Sequence, residues 1–350
     1  MALSDDIADE LTRHSVGLQR LSASVVRKII AMLNRSDARI VERLLASDIS
    51  AISRTRQEVL LREIRRIVDS AHTDAMGALR IELEGLAQYE GEYQHEVLQR
   101  FTPAVVDFVR PSEAQILAAV NSRPFQGKLM REWLSELGAA TARRVRDAIR
   151  AGYVEGLTTE QIVRQLRGTA SQGYRDGVLE ITRRHAQTVV RTAINHTANT
   201  ARSYVYDANR DLVKAVKWVS TLDSRTSLVC MGRDNKVYPV DSGPRPPAHP
   251  NCRSTTVPVL RSWRELGIDA DEFPAGTRAS MNGQVPSDMD YDTFLRRQSQ
   301  AFQDDVLGQR RAALFRAGAN VDRFTDRAGN ELTLDQLRRR EREYWQAAGL

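Results

Sequence analysis

The sequence predicts an α+β protein that is predominantly α-helical. Long N-terminal helices lead into a helical domain with a small β-rich Cys/His/Pro module, and a mixed C-terminal tail follows. Three observations carry this expectation. Residues 1–102 contain no proline and place apolar residues at helical spacing. Six of the eleven prolines lie between Pro239 and Pro258, and none lies between positions 125 and 238. The only two cysteines, Cys230 and Cys252, fall in or beside that proline-rich stretch with His249 between them.

Taken in order, Val25, Ile29, Met32 and Leu33 form a first apolar stripe. Asn34-Arg-Ser36-Asp37 reads as a break with a new N-cap. A second stripe, Leu60, Ile64, Ile67, Val68, Ala71, Ala75, Ala78 and Leu79, runs on toward Tyr89 and predicts a helix of roughly 30 residues or more. Pro103, Pro111 and Pro124 mark a boundary. Next comes a helix with Trp133, Leu137, Ala140, Val145, Ile149 and Tyr153 on one face; Gly156 ends it, and Thr158-Thr-Glu-Gln161 is a capping box for its successor. The run from Arg175 to Asn209 is helical, with Leu179, Val189, Ala193 and Tyr204 inward and His185, Arg191, Asn195, His196, Asn199 and Arg202 as polar sites.

The period then shortens. Val213–Val219, Lys236–Val240 and Ser254–Leu260 are β-rich and bounded by turn formers, so they read as strands. Ala270–Asp290 reads as loop, Tyr291–Gly318 as helix and Arg323–Gly329 as a turn; Thr333-Leu-Asp-Gln336 is a second capping box. This organisation divides the chain into a long-helix arm at 1–110, a central domain at 111–262 holding the Cys/His module, and a C-terminal extension at 263–350.

Composition narrows the function classes. Two cysteines in 350 residues are not a disulfide framework. No apolar run approaches the roughly 18 residues of a membrane span, and Met1-Ala-Leu-Ser-Asp-Asp has neither the basic start nor the apolar core of a signal peptide. The net charge of +6 rests on 46 arginines and five lysines interspersed with acids, which suits either a polyanion or a salt-bridged helix surface.

Cys230, His249 and Cys252 offer thiolate and imidazole, a sound zinc set, with Asp223 and Asp234 the nearest candidates for a fourth ligand. Two free buried thiols are the reading the spacing favours, with zinc binding or a Cys230–Cys252 disulfide as its alternatives, and no organic cofactor is implied. His249-Pro-Asn-Cys252 is too short for a helix, so its side chains project from a turn. None of the six histidines is followed two positions later by Glu, as zinc deaminases require. Phosphate-loop, nucleophile-elbow and His-Glu-x-x-His patterns are missing as well, and no catalytic residue is assigned. Asp223-Ser-Arg225-Thr226 reads as a loop fixed by an Asp223–Arg225 pair and capped by Thr226. Arg191, Asn195 and Arg202 recur at helical spacing and read as a polar clamp holding the cysteine module to its helix.

These residues together resemble the phage minor head protein family typified by the Mu F protein. The shared pattern is Arg191-Thr192…Asn195…Ala201-Arg202, Trp218, Asp223-x-Arg225-Thr226…Cys230…Gly232…Tyr238, closing with Pro246-Pro247-x-His249-Pro250-Asn251-Cys252-Arg253. The stretches Phe294–Gln298, Ala301-Phe302, Leu307-Gly308 and Asp322–Leu334 resemble the family's tail, so the likeness covers about residues 135 to 340. Two positions depart from it: where many relatives carry further cysteines, this chain has Ser227 and Ser254. The paired loss suggests that those two cysteines act together in relatives, as metal ligands or as a bond.

The resemblance implies a structural virion component rather than an enzyme. Such a protein is made in the bacterial host cytoplasm and placed inside the procapsid near the portal vertex, where it serves head morphogenesis and DNA packaging or ejection. Its implied partners are the portal protein, other capsid or internal head proteins and, non-specifically, packaged double-stranded DNA, with no membrane contact inside the head. The alternative is a nucleic-acid-binding protein or effector enzyme of prophage origin.

Overall fold

The computed structural model describes residues 3–47, 52–269 and 276–350. Its element order is α1 (Leu3–Leu45), α2 (Arg54–Arg100), α3 (Glu113–Ser122), α4 (Met130–Val154), α5 (Thr159–Arg167), α6 (Val178–Ala208), β1 (Val213–Val219), α7 (Leu228–Arg233), β2 (Val237–Pro239), β3 (Thr255–Leu260), β4 (Thr277–Ser280), β5 (Gly283–Pro286), α8 (Tyr291–Arg296), α9 (Gln300–Leu307), α10 (Gln309–Arg316), α11 (Leu334–Arg340) and α12 (Arg342–Ala347). The chain is therefore a predominantly helical α+β protein with small antiparallel sheets, as its sequence predicts. Among the described residues no helix is long and apolar enough to cross a membrane.

The residues group into two compact units interleaved along the chain. One comprises 1–19, 88–116 and 198–350; the other comprises 20–87 and 117–197. In the second unit Ile40, Val41 and Leu44 of α1 pack with Leu60, Leu61, Ile64 and Val68 of α2, Val145 and Ile149 of α4, and Ile162 and Leu166 of α5. Leu60, Ile64, Val68, Val145 and Ile149 belong to the apolar stripes expected from the sequence, and the others pack against them because a one-sided helix must cover its apolar face. The Thr158 cap is as predicted: its side chain accepts from the Gln161 N–H, and the Gln161 side chain reaches back. The break expected at Asn34–Asp37 does not occur, and α1 runs straight through it. Tertiary partners take the place of a local turn: Arg183 donates to Asn34 Oδ1 at 3.3 Å and pairs with Asp37 at 2.5 Å, while Ser36 is buried.

In the first unit, β2-β1-β3 form an antiparallel sheet. Ala215, Val216 and Lys217 face Pro239, Tyr238 and Val237 on one side; Trp218 faces Thr256 on the other. A bulge between Val213 and Ala215 shifts the register, so that Val213 is buried like Val216 and Trp218 while Lys214 turns out to Glu265. One core collects these strands with Ile7, Leu11, Val97, Leu98, Val205, Tyr206 and Trp263. A second core joins Leu222, Leu228 and Met231 to Tyr291, Phe294, Leu314, Phe315, Phe324 and Leu337 of the tail. Helix α7 bridges the two environments: Leu228 and Met231 face the tail, and Cys230 faces the strands.

The tail differs from its sequence reading in two places. Within the expected loop Ala270–Asp290, β4 and β5 form a hairpin turning at Met281-Asn282; positions 270–275 lie outside the described residues. Tyr291–Gly318 is three short helices, because Ser299 caps α9 anew and Gly308, at φ +75°, ends it. The Thr333–Gln336 capping box opens α11 as expected.

Candidate functional site: the Cys/His module

Helix α7 starts where Ser227, in an extended conformation, accepts the Cys230 N–H on its side-chain oxygen. Gly232 lets the helix lie against the turn at Val321–Phe324: a Cβ there would sit 2.9 Å from the Cα of Asp322. From the other side, Pro246-Pro247 (a cis peptide) and Pro250 lead the chain into a tight turn in which the Cys252 N–H bonds to the His249 carbonyl at 3.1 Å. Asn251 takes a left-handed φ of +60°, which its short side chain tolerates. The side chains of His249 and Cys252 thus project from a turn, as their spacing requires.

The two arms bring Cys230, His249 and Cys252 together, with one ligand-type atom from each lying within 4.8 Å of the others. Cys230 Sγ is 3.7 Å from Cys252 Sγ and 3.3 Å from His249 Nε2. The sulfurs are not bonded to each other, and both thiols are buried over Trp218. His249 Nδ1 faces the Pro250 carbonyl at 2.8 Å, which assigns the proton to Nδ1 and turns the Nε2 lone pair toward the sulfurs. Ser227 Oγ lies 2.7 Å from Nε2 and is the fourth polar group at the cluster. The accompanying cavity is about 10 Å³, lined by Thr221, Ser227, Cys230, His249, Arg253 and Ser254 among others.

The electrostatics are those of a shared proton. A hydrogen bond from Cys230 and the proximity of His249 hold Cys252 well below the usual thiol range, against its burial. The same bond, reinforced by burial, pushes Cys230 well up. Burial works against charge on His249, but the Cys252 sulfur more than offsets it and raises the imidazole. Tetrahedral zinc with bonds of about 2.3 Å to sulfur and about 2.0 Å to nitrogen has edges of about 3.8 Å (S–S) and about 3.5 Å (S–N). The observed 3.7 and 3.3 Å match two edges of that figure and the third pair lies within 4.8 Å, so the set supplies three of the four ligands of a structural zinc ion.

Two arginine–aspartate pairs brace the cluster. Arg253 grips Asp223 through both terminal nitrogens, at 2.5 and 2.7 Å, and the Tyr291 hydroxyl donates to the Asp223 backbone carbonyl at 2.6 Å. Burial pushes the Asp223 carboxyl up, but Arg253 prevails and keeps it below the ordinary range. Asp234 accepts the Ser220 N–H and both arms of Arg278, with neither charged side chain exposed; burial raises it in spite of Arg278. Ser220 Oγ completes the bracing by contacting Trp218 Nε1, the Cys230 carbonyl and Ser254 Oγ.

Several sequence expectations are thereby corrected. Neither Asp223 nor Asp234 is a fourth ligand; each is engaged by an arginine, and Ser227 stands nearest instead. Arg225 is a loose partner of Asp223 at 3.7 Å with its side chain largely exposed, while Arg253 is the principal one. Thr226 closes the loop as expected, its hydroxyl bonding the Thr221 carbonyl and Asp223 Oδ1, while Ser227 caps the helix that follows. Of the expected clamp, Arg191 is exposed, Asn195 is half-buried and Arg202 is fully enclosed. Arg202 pairs with Glu90 and donates to the Thr256 carbonyl at 3.4 Å, while Thr255 of β3 hydrogen-bonds Asn199 at 3.3 Å. Helix α6 therefore does hold the strand that follows Cys252, through Asn199 and Arg202. Sequence reasoning missed Glu90, Arg278 and Ser220; a lone Glu in a long charged helix or an Arg in a loop-like stretch carries no periodic signal.

No curated protein and no solved structure gives a match to this chain. Residues 143–257, about a third of the chain, match the family described as Phage Mu protein F like protein. That segment runs from α4 through β1, α7 and the Cys/His turn into β3, and the match supports placing this protein in a phage head morphogenesis family.

Proposed function

We propose that this protein is a minor head protein that sits inside the procapsid at the portal vertex and acts by attachment rather than turnover. The observation that carries the reading is the closure of the Cys/His module. Its cavity of about 10 Å³ is at the limit for a single water, so a substrate has no place beside the thiols. One half-buried and one fully buried arginine–aspartate pair fix its walls, which is how a rigid plug is built. The long helices of residues 1–110 are the docking arm for the portal, and the basic surface tolerates packaged DNA through non-specific contacts.

The spacing of Cys230, His249 and Cys252, with the imidazole proton tied to Pro250, favours a structural zinc ion held by these three side chains. Such an ion would cross-link α7 to the turn before β3 and supply no chemistry beyond that. Mass spectrometry of purified particles tests the reading: the protein is present in wild-type heads, and His249→Ala or Cys252→Ser lowers its incorporation without removing any turnover. Absence from particles, or a hydrolytic activity lost with these substitutions, refutes it.

A further inference from the structure

In the second unit, α2 and α4 run antiparallel. Glu58 pairs with Arg150 at one end, and His72 lies against Gly138 farther along, where a built Cβ would be 3.2 Å away. A valley of about 1530 Å³ follows this seam, closed at its side by Leu117 and Val120 of α3 and by Thr197 of α6. It exceeds the roughly 300–1,000 Å³ of a small-molecule pocket. The α4 wall, Met130 to Arg150, spans about 30 Å at 1.5 Å per residue, the length of a helix of about 20 residues.

Two buried polar groups in this valley have no hydrogen-bond partner. His72 Nδ1 and Thr197 Oγ1 both lack one, although His72 is 6% and Thr197 0% exposed. Both atoms are closed off from the open space by the walls themselves, so the occupant is read from the valley's shape and charge. The charges on its rim are also unbalanced. Glu58, Asp69 and Glu84 are paired with Arg150, Arg65 and Arg80. Arg62, Arg131 and Arg143 have no carboxylate partner among the described residues. Gly77 faces open space, with nothing within 4 Å of a built Cβ, so one wall admits close backbone approach.

We propose that the α2/α4 valley docks an amphipathic helix of another protein, apolar toward the seam and acidic along its flanks. The proposal needs nothing of the head-protein reading. The test uses the full chain and a fluorescein-labelled helical peptide of about 20 residues, with a Leu/Ala face and Glu flanks. The same composition scrambled and the Lys-flanked counterpart serve as controls. Fluorescence anisotropy should show binding of the Glu-flanked helix alone, weakened tenfold or more by Gly77→Trp. The triple Arg62→Glu, Arg131→Glu, Arg143→Glu should transfer preference to the Lys-flanked helix. If Gly77→Trp lowers the thermal midpoint, Ala139→Trp on the facing wall replaces it. Failure of the Glu-flanked helix to bind, equal binding of the scrambled peptide or to the filled variants, or displacement by duplex DNA or by a second copy of the chain would overturn the proposal.

Discussion

The Cys/His module and the α2/α4 valley differ in how completely they are finished. Around the thiols, Ser220, Ser227, Asp223, Asp234 and His249 all have hydrogen-bond partners, and the space left over is about 10 Å³. Along the valley about 1530 Å³ stays open, and the lining Arg62, Arg131 and Arg143 have no carboxylate partner among the described residues. Space filled by hydrogen-bonded side chains offers no room for a ligand, whereas an open valley admits one. The module is therefore read as internal architecture and the valley as an exterior contact, although both lie in a largely helical chain.

The largest effect expected from breaking this contrast comes from the module's buried charges. Asp234→Ala strands Arg278, whose side chain is 3% exposed, and should cost about 3–5 kcal/mol in denaturant unfolding. Asp234→Asn, which can still accept the Ser220 N–H, should cost less. A loss within about 0.5 kcal/mol, the range of an ordinary surface substitution, would mean that the pair does not brace the site.

A pH experiment probes the second unit. Burial, with Arg123 adding to it, lowers the His196 imidazole from 6.5 to about 4. The unfolded chain therefore binds this proton first as pH falls, and stability should decline between about pH 6.5 and 4, by on the order of 3 kcal/mol in total. His196→Gln should flatten that limb. Asp37 works in the opposite direction: burial raises it to about 6 in spite of Arg183, so its contribution weakens as pH rises from 3.8 toward 6. An unchanged slope in His196→Gln would remove this histidine from the account.

Metal content sharpens the reading of the module. Elemental analysis should find about one zinc per chain, and His249→Ala or Cys252→Ser should weaken zinc affinity about tenfold or more. Wild-type protein that stays zinc-free after expression in zinc medium would leave two hydrogen-bonded thiols as the module's cross-link. The smallest effect belongs to the valley: Gly77→Ala, in a helix interior facing open space, should stabilise by about 0.5–1 kcal/mol in thermal melts.

Much of this architecture was legible in the residues. Val213–Val219 reads as a strand and is β1 to the residue, because β-branched content and turn boundaries agree there. Both capping boxes are legible because their signal is local. Cys230, His249 and Cys252 converge as their shared rigid stretch suggests. What escaped depends on partners far along the chain. Asn34–Asp37 has the composition of a break, yet Arg183 keeps it helical. Asp223 and Asp234 have the chemistry of ligands, yet Arg253 and Arg278 claim them. The hairpin at Met281-Asn282 was hidden by neighbouring Pro286 and by strands of only four residues. The valley has no motif at all, since its lining arginines carry no signal that sets them apart from the rest of an arginine-rich helix surface.

A cryo-EM map of the portal vertex in assembled heads tests the central claim most directly. The account predicts this protein in place, its Cys230–His249–Cys252 cluster sealed from solvent, and its α2/α4 valley covered by a helix of a neighbouring head protein. A vertex without this chain, or one in which the thiols open onto a solvent channel with a substrate-sized groove, would contradict it.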